Sequence, residues 1–221
     1  RPFLTFLAAS GFVAALLLTP TAQFDASLPI LVSEGAAIAP VARVDSATLE
    51  REVVARYDHL PLAQIFSRRT DPEIANRVAR AVIKESRQLQ IPPSLLAGVL
   101  ITENARLEPE TVSNKGAIGL MQVMRFHAGV FDCDSDDLRQ VEANVCHGAR
   151  VFAGYLKRTR DVRSALLRYN GCIRSRATPS CRRYPSKVLR EAEQVRQQLL
   201  DYLPRQRLRA AASSTSPIPA L

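Results

Sequence analysis

Glu103 ends an apolar run, Leu95-Leu96-Ala97-Gly98-Val99-Leu100-Ile101, in a chain of 221 residues. It follows Leu96 by seven positions and Val99 by four, which at helical period places it on the apolar face. A carboxylate there is unfavourable unless paired or protonated, because burial penalises the charged form. The C-terminal end of a helix disfavours negative charge as well. Both influences raise the pKa, and a carboxyl kept protonated near neutral pH is what a general acid requires. After Glu103 a polar turn leads to Gly116-Ala117-Ile118-Gly119 and then Leu120-Met121-Gln122. Glycines at 116 and 119 would let backbone approach a ligand closely. As plain turn glycines they would keep the fold and lose that contact.

The elements that must position these residues read as helices. Ser46 to Tyr57 carries Leu49, Val53 and Val54 on one side, and a short apolar patch spans Leu60 to Phe66. Asp71-Pro72-Glu73 has an acid cap, a proline in the first turn and a carboxylate near the positive end of the dipole. The helix it opens is expected to reach about Gln88. Ile91-Pro92-Pro93-Ser94 breaks it and starts the Glu103 helix, with Ser94 as its expected cap. Further helices are expected at Asp137–Lys157, Val162–Tyr169 and Pro185–Tyr202, and no period-2 run exceeds four residues. The expected fold class is all-α.

Residues from about 71 to 200 resemble the catalytic domain of soluble lytic transglycosylases, which are related to goose-type lysozymes. Glu103, Ser113, Gly116, Ala117, Gly119, Leu120, Met121 and Gln122 match the family's central pattern position by position. Asn144 with Gly148, Tyr169-Asn170-Gly171, and Tyr184 with Lys187-Val188 match later blocks. Three positions depart from it. Asn104 stands where the family usually has Ser, Val151-Phe152 replaces Tyr-Leu, and Arg168 replaces a small residue.

The resemblance implies a lysozyme-like helical domain that cleaves the β-1,4 bond between N-acetylmuramic acid and N-acetylglucosamine in peptidoglycan, leaving 1,6-anhydro ends. Most glycosidases use two carboxylates. The nearby Glu108 and Glu110 fall in a turn and read as solvated, so no second acid stands out, and the resemblance implies that Glu103 serves as sole acid and base. Asn104, Ser113, Gly116, Ala117, Gly119, Met121, Gln122, Tyr169, Asn170 and Tyr184 are the expected substrate contacts. Met121 fits core packing as well as substrate contact, and core packing is the lesser alternative for Tyr169. Peptidoglycan strands are the expected partner, with a monomeric protein and no cofactor or metal. A hydrolase of the same bond, with water as nucleophile, and a catalytically idle wall-binding protein are the alternatives.

Four cysteines allow three pairings, of which the two local ones, Cys133–Cys146 and Cys172–Cys181, are expected. Loops of that size would each contribute roughly 2–3 kcal/mol. A metal site from Cys133, Cys146, His147 and His127 is disfavoured, since the spacing fits no standard zinc pattern. The net charge is +9, and Arg150 to Arg209 holds sixteen Lys or Arg against four acids. That excess suits a solvated helix face or an anionic wall or membrane surface. Nucleic acid is not expected, because no recognition motif or aromatic interleaving accompanies the charge.

Residues 1–22 read as a signal peptide or membrane anchor, 23–70 as linker and short helical lead-in, 71–203 as the catalytic domain, and 204–221 as a basic to Ser/Pro-rich disordered tail. The apolar leader and the even cysteine count point to export into the bacterial cell envelope.

Overall fold

The computed structural model describes residues 46–172 and 178–202. The segments read as signal or anchor and as disordered tail lie outside them, as does residue 203. The described chain is helical: α1 (Ser46–Tyr57), α2 (Leu60–Phe66), α3 (Pro72–Leu89), α4 (Pro93–Glu103), α5 (Val141–Thr159), α6 (Val162–Tyr169) and α7 (Pro179–Leu200). Between α4 and α5 lies a small antiparallel hairpin, β1 (Ala117–Ile118) and β2 (Val123–Met124), pairing Ala117 with Met124 and Ile118 with Val123. The all-α expectation holds. Among the described residues no helix is long and apolar enough to cross a membrane.

α4 is the buried centre of the body, with every residue from Pro93 to Ile101 inside. An all-round apolar helix of this kind must be covered on all sides. α7 crosses it most closely: a Cβ on Gly98 would lie 2.8 Å from Ala192 Cβ and from the Val188 carbonyl. The same crossing brings Tyr184, near the start of α7, to Glu103 at the end of α4. α1 and α2, in the stretch read as a lead-in, bury Val54, Leu62 and Phe66 in this same core.

Three helix starts differ from expectation. Ser94 is not the cap of α4: Pro92 holds that position without a side-chain bond, and Ser94 is one residue inside. Its N–H and hydroxyl instead donate to the two oxygens of buried Glu50, at 2.6 and 3.0 Å, so a carboxylate from α1 caps α4. α5 starts at Val141 rather than Asp137, because the Leu138 carbonyl accepts from the Asn144 side chain at 2.7 Å and residues 137–140 form a turn. α7 starts six residues before Pro185, with Thr178 accepting from the Cys181 N–H and Pro179 in the first turn. Thr178-Pro179 is thus the same kind of start as Asp71-Pro72, and Pro185 sits inside the helix.

Both expected disulfides are present, Cys133–Cys146 and Cys172–Cys181. The first ties the loop before α5 to that helix, and the second joins the end of α6 to the start of α7.

Candidate active site

Glu103 is the last residue of α4 and is half-buried. Burial raises its pKa, and the opposing influences are weaker: the Tyr184 hydroxyl bond and the positive charge of Lys187. Tyr184 is 8% exposed and donates its hydroxyl to Glu103 Oε1 at 2.5 Å. Tyr184 and Lys187 are one helical turn apart on α7, so a single face delivers a donor and a cation to the carboxyl. Burial and the charge of Glu103 push the hydroxyl pKa of both Tyr184 and Tyr169 far up, which keeps them as O–H donors. No acidic side chain contributes to the environment of Glu103 among the described residues. Glu108 and Glu110 are exposed and face Arg106 and Arg139 at 3.8 and 3.2 Å.

The hairpin beside Glu103 is held by polar side chains turned inward. Asn144 of α5 donates to the Ile118 and Leu138 carbonyls at 2.8 and 2.7 Å and accepts from the Met121 N–H at 2.8 Å. Tyr169 of α6 donates its hydroxyl to the Met121 carbonyl at 2.8 Å, and its ring meets Phe152 edge-on. Met121 is thus gripped on both sides of its backbone, and its side chain is fully buried.

Several expected substrate contacts prove to be scaffold. Asn104 is buried; its amide donates to the Glu108 carbonyl at 2.7 Å and its oxygen accepts from the Glu108 N–H at 3.2 Å. A Ser there could not span the turn in both directions. Asn104 therefore shapes the chain after the acid. Met121 and Ala117 belong to the buried interior for their side chains. Gly119, with φ +77°, is buried as well, and a Cβ there would fall 2.3 Å from Asn144 Nδ2. Its glycine identity serves close packing on Asn144, which occupies the approach expected for a sugar. Gly116 is the opposite case, with φ +79° and open space where its Cβ would be. Ser113 accepts from the Ala117 N–H at 3.0 Å and closes that turn. Asn170 is exposed and points its amide to Cys172 Sγ at 3.3 Å, so it is not drawn to Glu103.

Gln122 and Tyr169 do line open space. A cleft of about 200 Å³ is walled by both of them, with Phe126, Tyr155 and Arg168 among its other residues. Gln122 has φ +48°, and its amide folds back on the Gly119 carbonyl at 2.9 Å. Phe126 and Tyr155 carried no signal in the sequence. Arg168 did, as a departure from the family pattern. Tyr184 with Lys187 stood in the sequence as a family block, and their place three apart on one helix appears only once α7 is seen to start at Pro179. His147 is buried with Nε2 3.1 Å from the Ser135 carbonyl, and no His/Cys/Asp/Glu group suited to a metal occurs among the described residues.

Residues 80–181 match the family described as the Transglycosylase SLT domain. A protein named Transglycosylase from Enterobacteria phage PRD1 is 34% identical over 106 residues, 48% of this chain and 39% of that protein. The chain thus spans well under half the length of that relative. The matched segment contains Glu103, the hairpin, Tyr169 and all four disulfide cysteines, while Tyr184 and Lys187 lie just beyond it. Residues 80–181 are thus similar to the Transglycosylase SLT domain family.

Proposed function

We propose that the domain is a peptidoglycan lytic transglycosylase with Glu103 as its single acid and base. One observation carries the reading: a half-buried carboxyl with raised pKa takes its hydrogen bond from a tyrosine, with no second carboxyl in its surroundings. A single group must then serve both halves of the reaction. The Glu103 carboxyl gives its proton to the glycosidic oxygen, which leaves with the bonding pair as the muramyl ring takes on oxocarbenium character. The carboxylate formed then accepts the proton of the muramic sixth-carbon hydroxyl, whose oxygen closes on the anomeric carbon. One C–O bond breaks, one forms, and Glu103 ends protonated with no water consumed.

Tyr184 and Lys187 supply what the intermediate carboxylate needs, a short donor and a nearby positive charge, which stabilise it as it forms. The two disulfides and the basic surface suit an oxidising envelope compartment and an anionic wall polymer, and we place the protein there.

The test is mass spectrometry of fragments released from purified peptidoglycan by the wild type and by Glu103→Gln. Anhydro-muramyl ends from the wild type alone are the expected result. Reducing ends would make the protein a hydrolase. No release by a folded, disulfide-intact wild type would leave a wall-binding protein.

A further inference from the structure

Arg168 lines the cleft that holds Gln122 and Tyr169, and it is exposed. Other arginines of the domain bind their charges within the fold: Arg163 donates to Ser186, Arg150 reaches Gln88, and Arg196 pairs with Glu193. For the guanidinium of Arg168 there is no hydrogen-bond acceptor or carboxylate among the described residues. Among the described residues the lining of the cleft contains no acidic one. A second guanidinium, that of Arg158, stands 4.8 Å from the ring centroid of Tyr155, another residue of the same wall. The cleft also exposes an apolar surface, since Phe126 is 68% exposed although its ring leans on His127.

A neutral sugar strand has no use for an unpaired guanidinium. The group suits a carboxylate, which a planar fork of donors can hold in two bonds. The aromatic wall suits small methyl groups. In peptidoglycan both belong to the same appendage, the peptide stem on the muramic lactyl group, with its alanine methyls and free carboxylates. We propose that Arg168 is a specificity residue that binds a carboxylate of the peptide stem, so that the cleft selects stem-bearing muramyl units over bare glycan. The proposal rests on the function argued above. It extends that function from the bond that is broken to the decoration of the sugar that carries it.

Arg168 also falls in the last turn of α6, where a cation is favourable towards the helix dipole. That role alone would make its replacement affect stability and leave the choice between substrates as it was. The two are separated by the ratio of kcat/KM on stem-bearing peptidoglycan to kcat/KM on the same material stripped of its stems by an amidase, with the lactyl carboxylates so freed capped as methylamides. We expect Arg168→Gln to lower that ratio about tenfold, the size of one charge-assisted hydrogen bond. Arg168→Lys, which keeps the charge without the fork, should recover part of it. An unchanged ratio in Arg168→Gln would overturn the proposal.

A wild type that cleaves neither substrate would refute the catalytic reading, and binding would then decide the question for Arg168. The affinities of Glu103→Gln, with and without Arg168→Gln, would be measured by calorimetry for a muramyl disaccharide-tetrapeptide and for the disaccharide with its lactyl carboxyl capped as a methylamide. A tenfold loss confined to the tetrapeptide form supports the proposal, and equal losses on both refute it.

Discussion

Glu50 and Glu103 meet opposite ends of the same helix, and the ends treat them differently. At the N-terminus of α4, Glu50 is 2% exposed and accepts from the Ser94 N–H and hydroxyl, where the helix dipole favours negative charge. At the C-terminus, Glu103 is half-buried and faces an unfavourable dipole, a single tyrosine donor and the more distant charge of Lys187. Burial raises both pKa values. The hydrogen bonds that oppose the shift come to Glu50 from the helix it caps, which makes it a fixture. Those on Glu103 come from a side chain on another helix, and the carboxyl keeps an oxygen without a partner among the described groups. These two acids thus differ in how completely their lone pairs are taken up.

The sharpest break between the two ends is Glu103→Gln. With the proposed acid removed, turnover should fall by about 10³-fold or more, since general acid-base catalysis is typically of this order. Stability should behave differently. A carboxyl whose folded pKa is raised stabilises the fold fully below its ordinary value of 4.5 and loses that contribution as pH rises towards the raised value. The glutamine variant has no such loss, so its Tm should equal or exceed that of wild type, with the gap opening above pH 4.5. A variant that is both inactive and less stable at neutral pH would make Glu103 a structural residue like Glu50.

The converse experiment is Glu50→Ala. It strips the cap from α4 and leaves the Ser94 N–H and hydroxyl buried without their acceptor, a loss of about 2 kcal/mol after relief from burying the charge is set against it. Urea denaturation should show a lower midpoint with an unchanged slope. Turnover per folded molecule should stay at the wild-type level. Loss of turnover at unchanged stability would place Glu50 in the reaction and erase the contrast.

This contrast also shows what a sequence can carry. The rule that picked Glu103, an acid on the apolar face of a helix, applies as well to Glu85 on α3. Glu85 is 1% exposed, with Arg150 Nε 3.5 Å away. Periodicity alone therefore finds buried acids. The ordered blocks at Ser113 to Gln122, Asn144, Tyr169 and Tyr184 were what singled out one of them. Helix existence was legible because Pro and acidic caps mark the starts, and α6 matches its expected ends. The exchange of roles between ligand contact and scaffold was not. Asn104, Gly119 and Met121 have the residue types of a binding loop, and only the fold reveals that Asn144 and the Glu108 backbone already occupy their polar atoms and their space. Long-range partners of this kind leave no local pattern. Glu50 capping a helix 44 positions away is the plainest instance.

Tyr184→Phe gives the smallest effect and the finest measure of the catalytic end. The phenylalanine fills the same space and removes one donor, so the fold should hold. Tyr184 binds the carboxylate form of Glu103 and so lowers its pKa against the larger effect of burial. Without that donor the pKa rises further. Activity that needs the protonated acid is lost as pH rises through this pKa, so the alkaline limb of the rate profile should move to higher pH in the variant. At lower pH, where the acid is protonated in both enzymes, the variant should be about tenfold slower. The stabilisation lost there is that of the carboxylate formed as the bond breaks, roughly 1.4 kcal/mol. The deficit must therefore shrink as the pH is raised along the alkaline limb. A uniform deficit at all pH values would mean that Tyr184 only shapes the cleft. An alkaline limb displaced to lower pH would mean that its hydroxyl bonds the protonated acid instead, and that Glu103 and Glu50 differ in dipole alone.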